Sequence, residues 1–442
     1  MSSSFDTVPA AAQGKPTPFA LHISGKAIED FHTLLRLSPI GRATWWTEHG
    51  DGYFGITREW LIKAKAAWLQ LEWRKTEERI NAVPNFKISI RDEQQEHDIH
   101  FAALFSSRPD AIPVIMLHGW PGSFLEFLPL LELVVEKYTP DTLPYHFIVP
   151  SIPEYGLSTS SGSTDTEMTM PVAARVMNQL MVELGFGTGY LTHGGDVGSM
   201  LSIELANSFK ECKAYHRMFS PSEWNYKYTE PLACIVNLLT PDEAAASLSL
   251  DGVTSEERAQ LERGQSWRKT GMAYALEHGT RPATIGAVLS SSPLAALAWV
   301  GEKYLEWVDH NEPLSLDTIL SMVSFYWFTE TLPRSFYPYR YLVSVRAGSN
   351  VQPQTGRADG EGALALPKGS IEKPLGISAF PGEMLMIPKA WAEKVYPNLV
   401  MYKRHPVGGH FAALEQPKAM LDDIEEFIQR VRAQVNIVAP NS

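Results

Sequence analysis

Three short stretches carry side chains that could do chemistry. Gly194-Gly195-Asp196-Val197-Gly198 follows a strand-like run and opens a helix-like one. Small residues on both sides of Asp196 let the backbone turn sharply and lift the side chain above the end of a sheet. A carboxylate displayed on such a corner is a candidate nucleophile, and the helix N-terminus beneath it favours the ionised form. Taken locally, an Asp capping a helix after a Gly-rich turn accounts for the same residues. The second stretch, His118-Gly119-Trp120-Pro121, ends an earlier apolar run; alone it reads equally as a Gly-Pro turn with a packed Trp. The third, Gly408-Gly409-His410-Phe411, puts an imidazole on a flexible loop near the chain's end, in a protein with 13 His, most of which would be structural. An acid that orients this His should follow a late strand. Glu383 in Phe380-Pro381-Gly382-Glu383-Met384 fits and is preferred; Glu223 is the rival. Gly185, Gly187 and Gly189 precede a strand and so make no dinucleotide fingerprint.

The elements that must position these groups follow from periodicity. From Ile28 to about Arg79 the pattern is helical, with Trp60, Leu61, Ala64, Ala67, Trp68 and Leu71 on one stripe. Phe86–Ile90 and Ile99–Leu104 alternate as strands. The continuous apolar run Ile112–Leu117 predicts a strand buried on both faces. Phe124–Tyr138 reads as a helix, Phe147–Val149 as a strand, Ala173–Leu184 as a helix closed by Gly185, and Tyr190–Thr192 as the strand before Asp196. Strands alternating with helices predict an α/β fold with a mostly parallel, doubly wound sheet. After a strand at Ala214–Phe219 the alternation stops, and Glu223 to about Ser344 is mostly helical. Thr254 with Glu257 opens one helix as a capping box, and Gly279 should stop the next. A polar loop from Gly348 to Lys373 returns to strands at Ile377–Phe380 and Leu399–Tyr402. A last helix follows, with Met420, Ile424, Phe427, Ile428 and Val431 on one face. The expected division is a leader at 1–85, core at 86–222, an inserted helical cap at 223–347, and core again at 348–442.

Composition narrows the function. The 442 residues are 44% hydrophobic with net charge −12, which excludes disorder as the main state and disfavours nucleic acid or an anionic membrane as partner. Two cysteines, Cys212 and Cys234, cannot form a disulfide framework and fit a reducing, cytoplasmic setting. Met1 to Pro18 lacks the basic start and apolar core of a signal peptide and reads as a loose tail. The uncharged run Pro282–Val300 is interrupted by Pro293 and reads as a buried helical segment rather than a membrane span.

The order Asp196, acid, His410 on a parallel α/β pattern resembles the α/β-hydrolase fold. Within it the chain resembles epoxide hydrolases of the microsomal type, in their soluble fungal branch. The likeness runs through Phe54–Leu61, His118–Pro121, Gly194–Gly198, Gly408–Phe411, Met272–His278 and Leu332–Arg340. It implies that Asp196 attacks an epoxide carbon, that His410 with Glu383 activates water, and that backbone N–H groups of Trp120 and Val197 hold the oxyanion. It implies acid tyrosines at Tyr274 and Tyr339, with Tyr337 two residues away as an alternative to Tyr339. The expected substrates are a small apolar epoxide and water, the product a vicinal diol, with no metal or cofactor. Detoxification is the setting such chemistry suggests, and the leader helices could embrace the cap or a second subunit of a homodimer. A haloalkane dehalogenase shares the Asp nucleophile but has no need of paired tyrosines. A ligand-binding relative that lost catalysis is the non-enzymatic alternative.

Overall fold

The computed structural model describes residues 4–49, 52–162, 164–218, 250–346 and 372–435. Among these residues ten strands make one sheet: β1 (Thr17–Phe19), β2 (Asn85–Asp92), β3 (Gln95–Leu104), β4 (Ile112–Leu117), β5 (Tyr145–Pro150), β6 (Thr159–Ser160), β7 (Tyr190–Gly194), β8 (Cys212–Arg217), β9 (Leu375–Ala379) and β10 (Leu399–Arg404). Their order is β1-β2-β3-β5-β4-β7-β8-β9-β10, with β6 paired to β3. The pairs from β5 through β10 are parallel, and those among β1, β2, β3, β5 and β6 are antiparallel. Every residue of β4 and of β5 is buried, as expected where parallel strands carry helices on both faces. Because β4 and β7 are neighbours, in register at Leu117 and Gly194, their outgoing loops leave the sheet side by side.

Between β8 and β9 the described chain is helical: Ser255–Thr270, Ala273–Thr280, Pro282–Ser290, Pro293–Glu306, Leu316–Thr329 and Tyr337–Arg346. The expected cap boundaries, the rival acid Glu223 and Cys234 lie outside the described residues. Thr254 and Glu257 form the reciprocal capping box at the head of the first of these helices.

The structure corrects three expectations. From Phe5 onward the leader is not a loose tail. Phe5 is buried and its carbonyl accepts from Phe105 N–H at 2.9 Å, while Thr17–Phe19 adds to the open edge of β2. An edge strand leaves its backbone groups unpaired, and this segment satisfies them. Gly279 does not stop its helix, which runs on to Thr280 and is broken by Pro282, whose ring and missing N–H disfavour continuation. The run after Pro282 is two helices set at 116°, the second capped by the Ser292 side chain on Ala295 N–H. Among the described residues no single helix is long and apolar enough to cross a membrane.

Candidate active site

Asp196 is the first residue of the helix Asp196–Ser208 and has φ of +46°, a left-handed conformation that Asp tolerates better than bulkier residues. The corner closes only because its flanks are glycine. A Cβ on Gly194 would lie 2.1 Å from Gly198 O, and one on Gly198 would lie 2.0 Å from Leu117 O. The β4 loop comes equally close, since a Cβ on Gly119 would meet Asp196 Cβ at 2.3 Å. That approach lets Trp120 N–H donate to Asp196 Oδ1 at 2.8 Å. The other oxygen, Oδ2, lies 3.5 Å from His410 Nε2. Val197 N–H belongs to the first helical turn, where no carbonyl of the helix is available to it.

His410 Nδ1 and Glu383 Oε2 are 2.7 Å apart, and both side chains are almost wholly buried. Glu383 Oε1 accepts from Leu385 N–H at 3.1 Å, which sets the carboxylate's orientation. Burial disfavours a charged imidazole, but the carboxylates of Glu383 and Asp196 outweigh it and hold His410 well above its ordinary value. Asp196, His410 and Glu383, drawn from three separate loops, therefore form one connected chain.

Both tyrosines singled out in the sequence stand beside this chain. The Tyr274 ring stacks on Trp120 at 5.2 Å, the Tyr339 ring meets Trp120 edge-on at 5.7 Å, and the two phenol rings are 5.6 Å apart. Burial, then the Asp196 carboxylate, pushes the Tyr274 phenol well above its ordinary value; burial, then Tyr274 and Asp196, does the same for Tyr339. Each phenol is thereby kept a neutral donor. Tyr337 instead packs near Tyr155, 6.0 Å between rings, and burial, then the Glu154 carboxylate, pushes its phenol up. A cavity of about 990 Å³ between the leader and the inserted helices has Tyr274 in its wall; its lining mixes aromatic side chains such as Phe54, Trp60 and Trp299 with Glu302 and Lys303, and does not include Asp196 or His410.

Sequence reasoning missed several residues here. Trp307 lies between His410 and Tyr274, its ring 5.1 Å from the first and 5.3 Å from the second. The Lys303 ammonium lies 4.5 Å from the Tyr274 ring centroid. Glu126 sits behind the Trp120 turn, buried, with Oε1 unpartnered among the described residues. An isolated Trp, Lys or Glu on an amphipathic helix carries no signal of this kind; only the Glu four residues past the Gly-Trp-Pro-Gly turn could have drawn notice.

Burial pushes the Glu126 carboxyl up to about 8, so the folded protein holds a proton that the unfolded chain releases near pH 4–5. Stability contributed by this site should therefore fall as pH rises between those values. Glu126→Gln is expected to leave stability little changed at pH 4 and to raise it by a few kcal/mol, in order of magnitude, at pH 8.5. Urea unfolding at both pH values checks this; an equal effect at both would contradict it.

Residues 16–127 match the family described as Epoxide hydrolase N terminus, and residues 112–230 match the alpha/beta hydrolase fold. A Dothistroma septosporum protein named as a candidate epoxide hydrolase is 41% identical over 96% of this chain and 92% of its own. Epoxide hydrolase 1 of Sus scrofa is 29% identical over 96% and 91%. The Aspergillus niger epoxide hydrolase structure superposes with a TM-score of 0.82 at 40% identity, covering 97% of this chain and all of that one. An α/β-hydrolase sheet, an Asp on its sharp corner, and likeness along nearly the whole length lead to one conclusion: the chain belongs to the epoxide hydrolases.

Proposed function

We propose that this chain converts an apolar epoxide and water to a vicinal diol through an ester on Asp196. The observation that carries this reading is the Asp196 carboxylate held between Trp120 N–H and His410 Nε2, beside two buried phenols. With Oδ1 occupied by the Trp120 donor, Oδ2 is the oxygen that attacks the ring carbon. The C–O bond of the strained ring breaks, and Tyr274 and Tyr339 supply the proton that the leaving oxygen needs. A serine hydroxyl in this place would form an ether that water could not cleave; a carboxylate forms an ester that it can.

In the second step neutral His410, oriented by Glu383, takes a proton from water, and the hydroxide attacks the ester carbonyl. That carbonyl oxygen is Oδ1, already at the Trp120 N–H, and Val197 N–H is the second donor. Such a donor contributes about 3–4 kcal/mol in comparable sites. The electrostatics make the timing sensible. Ester formation removes one of the two negative charges that hold the imidazole's proton, so His410 becomes able to act as a base once there is an ester to hydrolyse. Charge also balances: the proton leaving His410 makes up for the one the phenols gave, and hydrolysis returns both the carboxylate and the imidazolium. The aromatic side chains in the wall of the cavity beside Tyr274 support an apolar substituent on the epoxide. The paired phenols favour epoxides over haloalkanes, whose halide leaving group needs no proton.

A single turnover in ¹⁸O-water tests the scheme. With enzyme in excess, the label is expected in the Asp196 peptide and not in the first diol released, because hydrolysis cleaves the acyl C–O bond. Label appearing directly in that first diol would mean direct attack by water on the ring. Tyr274→Phe and Tyr339→Phe are each expected to slow ester formation by about 10–100-fold, below the full contribution of about 10²–10⁴-fold for a positioned acid because the other phenol remains, and Tyr337→Phe to do so far less. Stopped-flow measurement of the first step distinguishes them.

A further inference from the structure

We infer that Asp309, in the inserted helical region, is a positioning residue for the catalytic base. The inference rests on the reading that His410 serves the hydrolytic step. Asp309 follows the helix Pro293–Glu306 and meets the loop that carries His410. Its Oδ2 accepts from Gly408 N–H at 2.9 Å, while Oδ1 is fixed by Asn311 N–H at 2.9 Å. Its own N–H donates at 2.9 Å to Glu415 Oε2, and Glu415 Oε1 accepts from Phe411 N–H at 2.9 Å. Two residues before Asp309, Trp307 O accepts from His410 N–H at 2.9 Å. Backbone N–H groups of three residues in the base loop, Gly408, His410 and Phe411, are thus bonded to this clasp. None of them is satisfied by regular secondary structure.

The contact is too close for side chains to intervene. A Cβ on Gly409 would lie 2.7 Å from Asp309 N and 2.8 Å from Trp307 O, and one on Gly382, in the acid loop, 3.1 Å from Asp309 N. The inserted region also reaches the acid loop, where Gln260 Nε2 donates to Phe380 O at 2.8 Å and Glu383 O at 3.1 Å. The same region carries Tyr274 and Tyr339. The elements that hold the ring-opening acids therefore also fix where the imidazole stands over Asp196, and a small displacement of a reacting group is costly in rate. Asp309 touches no substrate atom and acts through the loop.

The test separates the two half-reactions by rapid quench and intact mass on Asp309→Ala and Glu415→Gln, with wild type and His410→Gln as references. Asp309→Ala is expected to slow ester hydrolysis by about tenfold or more, to leave ester formation within about twofold, and to accumulate adduct. Glu415→Gln, which keeps the shape but has one acceptor oxygen for two N–H groups, should show the same imbalance more weakly. Asp309→Asn, which keeps one acceptor oxygen for Gly408 N–H but faces Asn311 N–H with an amide NH2, should hydrolyse the ester at a rate between those of wild type and Asp309→Ala. A merely structural residue would lower both steps and the folded fraction together. The inference is overturned if the Asp309 variant folds and slows both steps equally or neither. If Asp309→Ala does not fold, an unchanged ratio of the two steps in Glu415→Gln overturns it. Absence of adduct in His410→Gln would instead mean that the underlying mechanism has failed.

Discussion

Asp196→Ala is expected to abolish diol formation while leaving the protein folded. Loss of an essential nucleophile in a comparable hydrolase costs about 10⁶-fold in turnover, and a fall of at least about 10⁴-fold is expected here. Among the described residues no other carboxylate stands on this corner, and the remaining oxyanion donors cannot form a bond to carbon. Stability should change little, since the carboxylate's bond to Trp120 N–H is lost but the sharp turn is set by Gly194 and Gly198. Asp196→Ser sharpens the test: a hydroxyl could at most open one ring and would then be blocked as an ether. Chromatographic assay of diol from styrene oxide, alongside thermal melting, gives both readings. Diol formation near the wild-type rate in either variant would remove Asp196 from the mechanism.

His410→Gln should do the opposite of silencing the enzyme at once. Ester formation uses Asp196 and the phenols, so it should persist, while hydrolysis loses its base and slows by about 10²–10⁴-fold. One equivalent of adduct should then build up on the peptide carrying Asp196. The pH dependence follows from the same geometry. In the resting enzyme the imidazole is held well above its ordinary value by Glu383 and Asp196, against the effect of burial. After esterification only Glu383 opposes burial, so the wild-type hydrolysis rate should rise with pH through an apparent pKa below that of the free enzyme. In His410→Gln that rise should vanish. For stability the sign is the reverse: a pKa raised on folding contributes fully below about pH 6.5, the unfolded value, and is lost as pH climbs through the folded one. Pre-steady-state kinetics with mass detection across pH 6–9 checks both halves. A variant that forms no adduct yet remains folded would argue against a two-step path.

Much of this site was legible before any coordinates, because its chemistry leaves local marks. A side chain exposed on a sharp strand-to-helix corner needs small neighbours, so Gly194, Gly195 and Gly198 announce Asp196. The runs Ile112–Leu117 and Tyr190–Thr192 read directly as the buried strands that carry the two loops. Tyr274 and Tyr339 left no such mark; likeness to a family pointed to them, since a phenol on a helix looks the same whether it packs or donates.

By itself the sequence determined the parallel α/β pattern, the corner that carries Asp196, and a chain order in which an acid and then His410 follow it. All of these depend on residue type within a few positions. Only the tertiary structure decided that Glu383 meets His410, that Tyr339 rather than Tyr337 pairs with Tyr274, and that Asp309, Trp307 and Glu126 gather around them. The segment from Phe5 to Phe19, expected to be loose, is tied to the sheet for the same reason. Each of these depends on contacts between segments tens to hundreds of residues apart, where packing and the need to satisfy buried polar groups choose the partner and local spacing has no say.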